Sequence, residues 1–110
     1  MPKPEPPTEE LSPFAAPALL VLATLADGPK HGYAIMQEAE HLSGQSLGPG
    51  TLYAALVRLE RRGLIEPVAS DDRRRPYRLT GVGATALQAH LDHMQSFARS
   101  ALQRLEGGAA

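Results

Sequence analysis

At 110 residues and 43% hydrophobic content with 21% charged residues, the chain has the composition of one folded domain, which excludes most multi-domain enzymes and wholesale disorder. It has no cysteine, so disulfide frameworks, thiol nucleophiles and cysteine-ligated zinc fingers are excluded, and the cytoplasm is the default compartment. The formal net charge is -1, but seven arginines (Arg58, Arg61, Arg62, Arg73, Arg74, Arg75 and Arg78) face Glu60, Glu66, Asp71 and Asp72 between positions 49 and 80, a local balance of +3.

Residues 1–12 carry Pro2, Pro4, Pro6 and Pro7 among acidic neighbours and are expected to form a solvated, extended tail. The tail's acidity argues against a signal peptide. The apolar stretch from Phe14 to Ala26 is thirteen residues long and holds Pro17, short of the roughly 20 that a membrane helix needs. It reads as a core helix that starts either at Ser12-Pro13 or at Pro17 and ends near Asp27-Gly28-Pro29. Its residues Leu19, Leu20, Val21, Leu22 and Leu25 are apolar nearly all round, so the rest of the fold should enclose it.

A second helix is predicted from His31 to Ser43, with Ile35, Met36, Ala39 and Leu42 on its buried face and Gly44 as its stop. A third runs from Pro49 to about Arg62. Leu52, Ala55, Leu56 and Leu59 gather on one side of it, and Tyr53, Ala54, Val57, Arg58 and Arg61 on the other, with Arg62 nearer the core side. A surface helix has no need of exposed tyrosine and valine beside two arginines, whereas one that docks on a polyanion uses aromatic, methyl and guanidinium groups together. Residues 64–68 and 76–79 then form a hairpin with a charged tip, Pro67 and Pro76 confining it to a small exposed ribbon.

The last helix begins after Thr80, an N-cap, with Gly81 and Gly83 as candidates to delay its start, and runs to about Glu106. Leu87, Leu91, Met94, Ala98, Ala101 and Leu105 follow steps of four and three, the seam of two packed helices. About 25 residues of helix span roughly 37 Å, more than a body of this size covers, which points to a second copy. The predicted fold class is mainly α with a small β-hairpin: a winged helix-turn-helix over residues 13–80, a C-terminal dimerisation helix over 81–106, and a tail at 107–110.

Four strings carry a resemblance: LADGPKHGY at 25–33, GPGTLY at 48–53, LVRLERRGLIE at 56–66 and YRLT at 77–80. In this order and spacing they resemble the phenolic-acid-decarboxylase-regulator (PadR) family of bacterial transcription factors, over residues 15–105. The last helix is similar to that of the family's smaller subgroup, in which it forms the dimer interface. The resemblance implies that Pro49, Gly50, Thr51 and Tyr53 open a recognition helix and that His31 and Tyr33 lie near the DNA backbone. The residues agree with it: a helix N-terminus offers N–H groups to phosphate, hydroxyls of Thr51 and Tyr53 add hydrogen bonds, and Arg58 or Arg61 reaches deeper. Wing arginines Arg73, Arg74 and Arg75 would meet an adjacent groove. The sequence departs from the family at Gly48, where a serine-like cap is common, at Ala54, where proline is common, and at Met94, aligned with a tryptophan that stacks flat aromatic effectors in some members. Met94 and Phe97 instead offer an adaptable lining for a small hydrophobic effector at the dimer seam.

His90 and His93 share a helical face but have no third ligand at suitable spacing, so no metal or other cofactor is implied. No nucleophile stands near a base and no carboxylates pair in a pocket pattern, so catalysis is not expected. The expected function is a homodimeric repressor binding double-stranded DNA at a palindromic operator. The rivals are a winged-helix protein-interaction module and a small-molecule carrier without DNA affinity.

Overall fold

Pro17 sets the first helical φ and opens α1 (Pro17–Thr24), with Ala16 as its extended N-cap. The computed structural model describes residues 16–70 and 75–108, so the Pro-rich tail, Ser12 and the hairpin tip lie outside the described residues. Leu20, Val21 and Leu22 are all buried, so α1 is enclosed on nearly every side, and the buried Thr24 hydroxyl donates to the Val21 carbonyl at 2.8 Å. The helix ends earlier than its apolar pattern suggests. Beyond Thr24 the bonds tighten from i→i−4 to i→i−3, with Ala26 N–H on the Ala23 carbonyl and Gly28 N–H on the Leu25 carbonyl.

Lys30 follows in extended form, and then α2 (Gly32–Ser43) runs to Gly44, which takes the left-handed conformation at φ 72° that a glycine stop favours. Ile35 and Ala39 are buried and Met36 is half-buried, but Leu42, expected on the same face, is 54% exposed. Its angle around the helix matches Ile35; its position along the axis does not, because the neighbouring α1 has already ended. In its place is a cleft of about 300 Å³ lined by Ala23, Ala26 and Leu42, with Asp27, Glu38 and His41.

Buried Leu47 anchors the link to α3 (Pro49–Arg61), whose four predicted core residues, Leu52, Ala55, Leu56 and Leu59, are all buried. The helix closes in a Schellman motif: Leu64 N–H donates to the Leu59 carbonyl, Gly63 N–H to the Glu60 carbonyl, and Gly63 holds φ 72°. Arg62, the C-cap, keeps its N–H on the Arg58 carbonyl at 3.1 Å, but its side chain is exposed and not turned toward the core.

Strands β1 (Ile65–Pro67) and β2 (Tyr77–Leu79) pair antiparallel, Ile65 with Leu79, Glu66 with Arg78 and Pro67 with Tyr77. Val68 N–H bonds the Pro76 carbonyl, so by the alternation of the ladder Pro67 falls at a non-hydrogen-bonded pair, where its missing N–H costs nothing. Tyr77 turns its own N–H and carbonyl the other way, to Lys30, at 2.9 and 3.0 Å. The ribbon thereby gains a third, one-residue strand from the segment before α2, a pairing not visible in the sequence.

The final helix α4 (Gly81–Gly108) starts at once after Thr80, whose Oγ1 accepts from Gly83 N–H at 2.9 Å and donates to the Gly63 carbonyl at 2.6 Å. Neither glycine delays it. Gly83 is there for proximity: a Cβ on it would stand 1.9 Å from the Leu64 carbonyl oxygen. Nor does Gly107-Gly108 stop the helix at Glu106, since glycine only weakens helical propagation. The core of α1, α2, α3, Ile65 and Leu87 ends one turn beyond Gly83, and the rest of α4 leaves it as a rod of roughly 31 Å.

Candidate nucleic-acid interface

One surface gathers the first turns of α2 and α3 with the wing. Gly32, the first residue of α2, lies against Leu52 in the first turn of α3, its missing Cβ 4.0 Å from the leucine Cδ2. That contact brings together the two helix starts that carry His31 and Tyr33 on one side and Thr51 and Tyr53 on the other. On the third side stands β2, where burial, aided by the charge of Glu60 and the nearby Tyr53 hydroxyl, holds the Tyr77 phenol above its ordinary pKa. Tyr53 of α3 thus lies near Tyr77 of β2, a residue that the sequence reading did not single out for this surface.

Neither helix start is closed by a side chain. Gly48 has none to offer, Pro49 has no N–H, and the first intrahelical bond is Leu52 N–H to the Gly48 carbonyl at 2.9 Å. The N–H groups of Gly50 and Thr51 thus point out of an exposed helix end, the arrangement that favours an anion. His31 caps α2 without a side-chain hydrogen bond, and its Nδ1 is buried with no partner among the described residues. Tyr33 and Tyr53 are each 64% exposed, the Tyr33 hydroxyl accepting a 3.2 Å bond from Gln37 Nε2.

The outward face of α3 holds Tyr53, Ala54, Val57, Arg58 and Arg61, all exposed as the periodicity predicts. Of the three wing arginines, Arg75 is exposed, while Arg73 and Arg74 lie outside the described residues. Two other basic residues near this surface are engaged. Arg78 Nε meets Glu66 Oε1 across the ribbon at 2.8 Å. Lys30, only 13% exposed, pairs with Asp27 and with Glu38 at 3.3 Å. Burial works against the Lys30 charge, but hydrogen bonds to the two carboxylates outweigh it and hold the amine above the ordinary lysine range. The hydrogen bond from Lys30, with its charge, keeps the Asp27 carboxyl below the usual carboxylate range. Lys30 thus fastens the end of α1 to α2, and among the described residues the exposed arginines without an ion pair on this surface are Arg58 and Arg61 of α3 and Arg75.

Away from this surface, α4 presents the predicted seam. Leu91, Leu105 and Ala98 are exposed, and Met94 and Ala101 are half-buried. Leu87, expected on that seam, is 5% exposed and packed in the core of its own chain. A single heptad track runs through both core and rod, so spacing alone did not separate the two. Leu102, which the steps of four and three pass over, is 59% exposed and adjoins Ala98 and Leu105 on that face; Phe97 is 70% exposed at its flank.

The family model of the PadR-like transcriptional regulators matches residues 21–89, from α1 through the wing to the first turns of α4. The chain belongs to the PadR-like family of transcriptional regulators. A transcriptional regulator of Mycobacterium tuberculosis, Rv3488, is 37% identical to this PadR chain over 91 residues, 80% of this chain and 84% of the relative. An uncharacterized 37.1 kDa protein in transposon Tn4556 of Streptomyces fradiae is 49% identical over 76 residues, 69% of this chain but only 22% of that protein's length. A crystal structure of a PadR family regulator from Clostridium difficile superposes at a TM-score of 0.72 with 26% identity, covering 81% of this chain and 97% of the other. The PadR winged helix with its long C-terminal helix is thereby the fold of this chain. Among the described residues, no helix is long and apolar enough to cross a membrane.

Proposed function

We propose that this PadR chain is a DNA-binding repressor that acts in the cytoplasm as a homodimer on a palindromic operator. The observation that carries the proposal is the one surface on which two uncapped helix starts, two exposed tyrosines and the exposed arginines of α3 adjoin the wing strands. Thr51, Tyr53, His31, Tyr33 and the N–H groups around Pro49 and Gly50 take phosphates, Arg61 reaches into the groove with Arg58 at its edge, and Arg73, Arg74 and Arg75 meet the adjacent groove.

The second half of the proposal is the dimer. Leu91, Met94, Ala98, Ala101 and Leu105, extended by Leu102, form an apolar stripe, exposed or half-buried, on the part of α4 that runs beyond the described core. Pairing of two such rods sets the spacing of the two recognition helices, which a palindrome mirrors. A small hydrophobic effector seated against Met94 and Phe97, and binding one inter-subunit angle better than the other, changes that spacing and so the operator affinity.

The test is selection of bound fragments from sheared host DNA, followed by footprinting at two salt concentrations. The expected result is protection of an inverted repeat with half-sites about one helical turn apart, its affinity falling steeply with salt. Recovery of random fragments alone refutes the operator reading. An association that is apolar and insensitive to salt favours the protein-interaction module instead.

A further inference from the structure

Two side chains in the middle of the α3 surface are explained by neither solvent nor phosphate. Val57 is 49% exposed and Ala54 is exposed one turn before it. Valine is a poor helix former, and at this position it stays half exposed where the core residues of the same helix are buried. At 100° per residue, the direction pointing straight away from Leu52, Ala55, Leu56 and Leu59 falls among Ala54, Val57 and Arg61, with Tyr53 and Arg58 on the two flanks. A helix seated in the major groove aims its centre line at the base edges and its flanks at the two backbones. Ala54 and Val57 therefore occupy base-reading positions while carrying no donor or acceptor.

The major-groove edge has one apolar feature, the C5-methyl of thymine. We propose that Ala54 and Val57 read thymine methyl groups in each half-site, so that specificity at those positions comes from methyl contact and not from hydrogen bonds. The inference rests on the DNA-binding reading above. The two residues are separated by about 4.5 Å along the helix axis, against 3.4 Å per base-pair step, so they address one or two consecutive A·T pairs. Arg61, a further turn along, lies beyond the methyl patch with its donors free for the next pairs.

The experiment uses the full chain and a duplex selected from a randomised pool of 24-base-pair DNA. Each thymidine is replaced singly by deoxyuridine, which keeps every donor and acceptor and removes only the methyl. At about 0.8 kcal/mol per buried methyl-sized group and 1.4 kcal/mol per tenfold, one or two positions in each half-site lose about fourfold in affinity. Val57→Ala removes the two γ-methyl groups and reduces the thymidine preference at its position to less than about twofold, while binding the uridine duplex within about twofold of the wild type. The exposed position keeps that variant folded. Tight selection with no uridine-sensitive position overturns the inference alone, as does a Val57→Ala protein that retains the full preference. Failure to select any duplex overturns the DNA-binding reading along with it.

Discussion

Gly83→Ala puts a methyl group where the main chain of the β1 approach already stands. The added Cβ lies 1.9 Å from the Leu64 carbonyl oxygen, 2.8 Å from its carbonyl carbon and 3.2 Å from its Cα, and no rotamer change moves those atoms. Ordinary contact begins near 3.4 Å, so the start of α4 must retreat by about 1.5 Å. The retreat strains the hydrogen bonds from Thr80 N–H to Leu64 and from Thr80 Oγ1 to Gly63, and draws Leu87 out of the core. Two hydrogen bonds at about 1 kcal/mol each, with part of the roughly 1.5–3 kcal/mol of a buried leucine, exceed the ~1 kcal/mol that alanine gains over glycine in a helix. The net is a loss of about 2–3 kcal/mol, on the order of 10 °C in Tm for a domain of this size. Gly81→Ala is the matched control, because nothing lies within 4 Å of its Cβ and it should melt at or slightly above the wild type. Thermal melts at one fixed protein concentration, followed by circular dichroism, measure both. A Gly83→Ala protein melting within about 2 °C of the wild type would refute the close-approach argument.

Leu102→Asp with Leu105→Asp puts charge on the exposed stripe of α4, and sedimentation should then find monomers with an unchanged far-ultraviolet spectrum. Tyr53→Ala and Arg61→Ala should each weaken operator binding by about tenfold while sedimenting as the wild type does. The Lys30 network sets a pH window. Asp27, held below its ordinary range, contributes stability above about pH 4 that fades as the pH falls through its depressed value; Lys30, held above its range, contributes below about pH 10 and loses this as the pH rises through its raised value. Asp27→Asn should therefore lower the urea midpoint at neutral pH, and its difference from wild type should close on acidification; a constant difference would place the effect elsewhere.

Elements whose geometry is local were legible in the sequence. Gly44 stops α2, Thr80 caps α4, and the buried side of α3 follows from apolar spacing, because each depends on residues within one or two turns. Features that depend on where a neighbour begins or ends were not. Leu42 has the right angle but lies past the end of α1, and Leu87 shares a heptad track with residues that serve a different surface. Lys30 and Tyr77 pair through main-chain atoms, which leave no signature in side-chain chemistry. Gly83 looked like a helix breaker since the carbonyl that demands it is nineteen positions away. For the candidate interface, residue types on α2 and α3 were readable, but the engagement of Lys30 and Arg78 by carboxylates was not, because it depends on partners brought in by the fold.

The joint between Lys30 and Tyr77 bears on how such a regulator can be re-engineered. Since it is made from N–H and carbonyl groups alone, every residue except proline supplies the same connectors at both positions. This joint of the wing is thus blind to side chains, while Ile65, Tyr77 and Leu79 hold the ribbon to the core by packing, so the loop beyond the strands can be rewritten, lengthened or exchanged between relatives as long as those three residues are kept.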